Sequence, residues 1–176
     1  MTTLARVVGT LEAAGIESAL IGAMALAVRG VVRSTFDIDL LVLRTETLDR
    51  RIWAALIDEG APVEIRHGDA SDPLEGIVRL RAAQGPSIDV IVGRSGWQLG
   101  VIERAERLVV AGAQVRVATA ADLVLLKLYA GGPSDRWDIE QLLGGDDRTA
   151  LVAEVESRLT GLPADCRTLW GHFRER

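Results

Sequence analysis

A strand, a glycine and a helix packed into residues 17–30 constrain this chain more than any other feature. The run "ESALIG" (17–22) reads as a short buried strand that ends at Gly22, and "AMALAVRG" (23–30) as a helix stopped by Gly30. A second apolar run, "DIDLLVL" (37–43), follows and carries Asp37 and Asp39 at its head. Side chains alternate along a strand, so the two carboxylates share a face. At about 4 Å, two like charges repel by roughly 4 kcal/mol at the effective dielectric near a protein surface. The pair therefore needs either a cation or full hydration.

The flanking sequence predicts an α/β alternation. Leu4, Val7, Val8 and Leu11 have amphipathic-helix spacing in a segment ending at Gly15, and "ETLDRRIWAALIDEG" (46–60) reads as a second long helix. Three strand-like runs follow, at 63–68, 76–83 and 86–93, parted by turn-rich segments. A helix at 97–106 and an edge hairpin around Gly112 come next. Thr119 is placed to cap a helix over 120–130, with Asp122 at its third position as in a weakened capping box. Helices are predicted again at 135–143 and 149–159, so the tail is all helical. The expected class is α+β: a mixed sheet with packed helices, followed by a small C-terminal helical region.

Asp89, in "SIDVIV", is the only charge in a run that otherwise reads as a buried strand. An unpaired ion there is costly. Either Asp89 joins Asp37 and Asp39 as a ligand of a hard cation such as Mg²⁺, which prefers carboxylate, phosphate and water oxygens, or it pairs with an arginine such as Arg33 or Arg79. Gly22 favours the first reading, because a strand-to-helix turn exposes backbone N–H groups suited to phosphate. Gly22, then Arg33, Ser34 and Thr35, then the three acids set a phosphate pocket beside a metal pocket. That combination serves phosphoryl or nucleotidyl transfer.

Charge and composition narrow the alternatives. The net charge of −5 and pI near 5.1 exclude a global basic field for nucleic acid, leaving room only for a local arginine patch. Of the 20 basic residues, all but Lys127 are arginine. Cys166 stands alone and cannot form an intrachain disulfide. The longest apolar stretch, residues 19–28, is too short to span a bilayer. Glu12 and Glu17 interrupt what a signal peptide would need, and a cytoplasmic protein is expected.

The segment "LIGAMALAVRGVVRSTFDIDLLV" (20–42) resembles the DNA polymerase beta-like nucleotidyltransferase superfamily, and within it the small bacterial AbiEii-type toxins of toxin–antitoxin systems. A second stretch, "VATAADLVLLKLYAGGPSDRWDIEQLL" (117–143), resembles the helical region that follows the catalytic sheet there. The resemblance implies a catalytic domain over 1–117, a helical region over 118–176, and transfer of a nucleoside monophosphate from a triphosphate to an acceptor hydroxyl. Asp37 and Asp39 would bind Mg²⁺ or Mn²⁺, and Asp89 would complete the metal site and activate the hydroxyl. Gly22, Ser34, Thr35 and Lys127 would hold the triphosphate, and Asp138 would frame the nucleotide pocket. The acceptor could be tRNA, a protein or a small molecule, with an antitoxin as a further partner. An inactive nucleotide-binding or antitoxin-like protein of the same fold is the alternative. The superfamily usually carries Gly-Gly or Gly-Ser at the turn; this chain has Gly22-Ala23.

Other candidates have ordinary readings. Lys127 could snorkel at a helix edge, and Asp135, Arg136 and Asp138 could be cap and surface charges. His67 and His172 lack the spacing of a metal site, and the four tryptophans read as packing residues rather than a base-stacking platform.

Overall fold

The computed structural model describes residues 2–33, 37–81, 85–145 and 147–174. Helix α1 (Thr3–Ala13) buries Leu4, Val7, Val8 and Leu11, and the Thr2 hydroxyl accepts the Ala5 N–H to cap it. Strand β1 (Ala19–Ile21) then runs directly into helix α2 (Gly22–Val28), and strand β2 (Ile38–Val42) follows. The expected long helix over 46–60 does not form. Two 3₁₀ turns, Thr45–Leu48 and Arg50–Trp53, precede a short helix α3 (Ala54–Asp58). The break has a local cause: Asp49 is extended, its carboxylate accepts the Arg51 N–H, and the buried Trp53 indole donates to the Thr47 carbonyl at 2.8 Å. A continuous helix would forfeit both bonds.

Strands β3 (Val63–His67), β4 (Leu74–Leu80) and β5 (Ile88–Gly93) come next, then helix α4 (Gln98–Arg104) and the hairpin β6 (Glu106–Val110) and β7 (Ala113–Val117). Among the described residues the strands form one mixed sheet in the order β3-β4-β5-β2-β1-β7-β6. β2 and β5 pair in parallel at its centre, as do β1 and β7, and the other pairs are antiparallel. β2 and β5 are nearly all buried, as central strands covered on both faces must be.

Four helices end the chain: α5 (Ala120–Ala130), α6 (Pro133–Leu143), α7 (Arg148–Arg158) and α8 (Ala164–Arg174). α5 packs against α2 on one side and against α6, α7 and α8 on others. α6 starts two residues before its expected position because Pro133 begins it, while the Asp135 carboxylate accepts the Gly132 N–H at 3.0 Å. α8 buries Cys166, Trp170 and Phe173 on one stripe.

Asp122 does more than cap α5. It is fully buried and receives Arg104 from α4 at 2.6 Å, Arg158 from α7 at 3.3 Å and the Thr119 hydroxyl at 2.8 Å. Replacing Asp122 by Ala should lower the unfolding free energy by about 2–3 kcal/mol, less than for a fully enclosed ion pair because both arginines can turn toward water. Urea denaturation of the two proteins measures it.

Candidate functional site

The register of the sheet assembles the site. Ile21 pairs with Asp39, Asp39 with Asp89, Asp89 with Arg79, and Arg79 with Glu64. Cross-strand partners point to the same face, so Asp39, Asp89, Arg79 and Glu64 stand in one row across β2, β5, β4 and β3. Asp37 lies on this face two residues before Asp39, outside the strand and exposed, where it accepts the Ser87 hydroxyl at 2.5 Å.

Gly22 closes the row from the other side. Its φ of +64° is left-handed, and a Cβ built on it would lie 2.0 Å from the Asp39 Oδ2. Conformation and contact both demand glycine there. Gly22, Ala23, Arg33, Asp37, Asp39, Asp89 and Lys127 together line a cavity of about 210 Å³. The structure thus brings together six of the sequence-predicted residues: Gly22, Arg33, Asp37, Asp39, Asp89 and Lys127. Ser34 and Thr35 lie outside the described residues.

The electrostatics of the cavity are unequal. Burial, then the Asp89 and Asp37 charges, push the Asp39 carboxyl up to about 6, against a smaller opposing pull from Lys127 and Arg79. Among the described residues Asp39 has no hydrogen-bond donor, whereas both Asp89 oxygens are taken by Arg79, at 2.8 and 2.6 Å. The arginine alternative for Asp89 is thus realised through Arg79, and Arg33 goes elsewhere.

Arg33 donates to both oxygens of Asp138, at 2.9 and 2.7 Å, while Lys127 Nζ contacts Asp138 at 2.9 Å and Asp135 at 2.7 Å. Asp138 is fully buried behind the wall of the cavity and does not line it. Expected to frame the nucleotide pocket, it stands behind two residues of that wall: Arg33 and Lys127 hold it inward, and it orients them. Burial pulls the Lys127 amine down, but its hydrogen bonds to Asp135 and Asp138 prevail and hold it above its ordinary value. Lys127 is therefore a fixed cation at the cavity wall rather than a snorkelling side chain. His67 and His172 are exposed, Trp53 and Trp170 are buried, Trp97 packs edge-on against Tyr129, and Trp137 is exposed.

Among the described residues no group of three or more His, Cys, Asp or Glu side chains is arranged to hold a metal ion. Asp37 and Asp39 fit a hard cation by chemistry: oxygen donors on one face, one of them lacking a donor and resisting ionisation. Asp89, on the same face, is paired with Arg79 through both oxygens, each of which keeps a further lone pair. Of the three acids expected as ligands, Asp89 is the one paired with a cation, its cross-strand neighbour Arg79.

Sequence reasoning did not find the Arg33–Asp138–Lys127–Asp135 chain of ion pairs. Its members lie 105 residues apart in the case of Arg33 and Asp138, and no local pattern joins them.

No helix among the described residues is long and apolar enough to cross a membrane. No family model matches the chain, and no curated protein matches it. Solved structures do. The lincosamide antibiotic adenylyltransferase LnuA, in a lincomycin-bound structure, is similar over 79% of this chain and 93% of its own, at 15% identity and a TM-score of 0.50. A Thermotoga maritima protein classed among the nucleotidyltransferases is similar over 80% and 90%, at 13% identity and a TM-score of 0.53. At such identities likeness speaks for architecture, and the architecture of this chain, one mixed sheet with its helices, is the nucleotidyltransferase fold.

Proposed function

We propose that this protein transfers a nucleoside monophosphate from a nucleoside triphosphate to an acceptor hydroxyl, releasing pyrophosphate. The observation that carries the reading is the register pairing of Asp39 with Asp89 beside Gly22 and Lys127, in a cavity on the nucleotidyltransferase fold. Asp37 and Asp39 hold Mg²⁺ or Mn²⁺ with the triphosphate. There it would supply charge neutralisation at the transferred phosphoryl group. Lys127 contacts a phosphate oxygen as a fixed point charge, and Asp138 and Asp135 keep its amine in place. Asp89 takes the acceptor proton once Arg79 releases one of its oxygens.

The narrower reading, an AbiEii-type toxin with an antitoxin partner, is supported by the sequence likeness of residues 20–42 and 117–143 alone. A second reading, nucleotide binding without transfer, is favoured by one observation: the Arg79 clamp on Asp89. Incorporation of α-labelled ATP, CTP, GTP and UTP into cell extract separates them. Wild type should label an acceptor, and Asp89→Asn should cut the rate by about a hundredfold or more while keeping most triphosphate affinity, as loss of a base does. Lys127→Ala should instead raise the KM for the triphosphate by about tenfold. Normal triphosphate binding with no labelling would leave the binding-only reading in place.

A further inference from the structure

The face that carries the acids continues past them, and its character changes. Beyond Asp89 the row runs through Arg79 to Glu64, and Arg81, one residue past the end of β4, lines the same cavities as Arg79. A cavity of about 410 Å³ lined by Asp37, Arg79, Arg81, Gly85 and Ser87 adjoins the acid cavity through Asp37. A further one of about 320 Å³ shares Arg79 and Arg81 with it and reaches Arg50 and Glu64. The two form a groove leading from the acids to the sheet edge at β3.

The charges in this groove do not cancel. Arg79 is matched by Asp89, and Glu64 by Arg66 at 2.7 Å. Arg81 stands 3.9 Å from Glu64, already engaged by Arg66, with its side chain about two-thirds exposed. Arg50 is exposed, and among the described residues it contacts no carboxylate, reaching only the Val63 carbonyl at 3.5 Å. Asp37, which also lines the groove, meets only the Ser87 hydroxyl, so Arg81 and Arg50 outnumber the one unpaired carboxylate there, in a chain whose net charge is −5. A local cationic strip on an acidic protein selects anions by position rather than by a general field.

We infer that this groove seats the acceptor, and that the acceptor carries phosphate, which Arg81 and Arg50 bind while its hydroxyl lies toward Asp37 and Asp89. The role as acceptor seat rests on the transfer reading above; the anion binding does not. Planar guanidinium groups suit phosphate oxygens through paired hydrogen bonds. The phosphate could belong to a small phosphomonoester or to the phosphodiester chain of a nucleic acid.

Both sources can be offered to the full-length protein: fluorescein-labelled hexauridylate followed by anisotropy, and ribose 5-phosphate followed by calorimetry with ribose as the neutral control. Wild type should bind at least one phosphate probe, and the doubly substituted protein, Arg50→Gln with Arg81→Gln, should bind it about tenfold more weakly with a shallower salt dependence. Arg81→Lys should recover part of the loss by keeping the charge, and thermal midpoints verify that the variants are folded. Binding of hexauridylate alone assigns the groove to a polynucleotide; binding of ribose 5-phosphate as well means that one phosphate suffices. Equal binding by wild type and double variant, or no preference for either phosphate probe over ribose, overturns the inference. Groove binding without nucleotide incorporation would retain the anion site and remove the transfer reading.

Discussion

Asp39→Asn should make the metal-free protein more stable at pH 8 while abolishing nucleotide transfer. The Asp39 carboxyl, near 3.8 in the unfolded chain, is pushed up to about 6 in the fold, first by burial and then by Asp89 and Asp37. A raised carboxyl means that the folded state holds the proton more tightly than the unfolded one. This carboxyl's contribution to stability is therefore greatest below about pH 4 and falls as pH rises through about 6, by about 3 kcal/mol in all. Asparagine has nearly the same shape and no charge, so it removes that cost where the aspartate would ionise. Urea denaturation in chelator should find the variant more stable at pH 8 by up to about 3 kcal/mol and nearly equal to wild type at pH 4. A less stable variant at pH 8 would mean that Asp39 makes a compensating contact in the fold. On activity the change acts the other way: loss of a metal-binding carboxylate should cost about a thousandfold or more in the incorporation rate. Titration of ATP with and without Mg²⁺ should show the metal-dependent gain in affinity disappear as well. A residue that weakens the fold and is needed for the chemistry follows the usual exchange of stability for function.

Gly22→Ala should produce a large loss of activity with a loss of stability. The left-handed φ of +64° costs an alanine about 1–2 kcal/mol. The added methyl would also stand 2.0 Å from the Asp39 Oδ2, a separation no pair of atoms tolerates, so the carboxylate must swing away or β1 must part from β2. Either adjustment moves Asp39 from its place opposite Asp89 by about 1 Å, enough to cost roughly a hundredfold in rate. The expected destabilisation is about 2–4 kcal/mol, read from urea midpoints, alongside the rate in the incorporation assay. The double substitution Gly22→Ala with Asp39→Gly tests the cause. Removing the clashing carboxylate should recover part of the lost stability and none of the activity. No recovery would place the penalty in the backbone alone.

The order and class of most elements were present in the chain itself. α1 is written in the spacing of Leu4, Val7, Val8 and Leu11, β5 in the unbroken apolar run around Asp89, and α5 in its Thr119 cap, because these signals are local and repeat within a few residues. The carboxylate face was legible for the same reason, since period 2 places Asp37 and Asp39 together whatever their neighbours. Where local pattern met a competing tertiary bond, pattern lost: the apolar spacing over 46–60 gave way to the Trp53 indole bond and the Asp49 cap. Partner choice was decided only by the sheet. Arg79 rather than Arg33 neutralises Asp89 because antiparallel register sets it directly across the strand, and Arg33 turns to Asp138, which sits 105 residues away in the chain. Ion pairs between distant segments leave no periodic trace, as their specificity lies in where the backbone brings two side chains. The chain by itself therefore determined which groups could do the chemistry, and the tertiary structure decided which of them are paired, which are held inward, and that Asp39, half-buried, has no donor among the described residues.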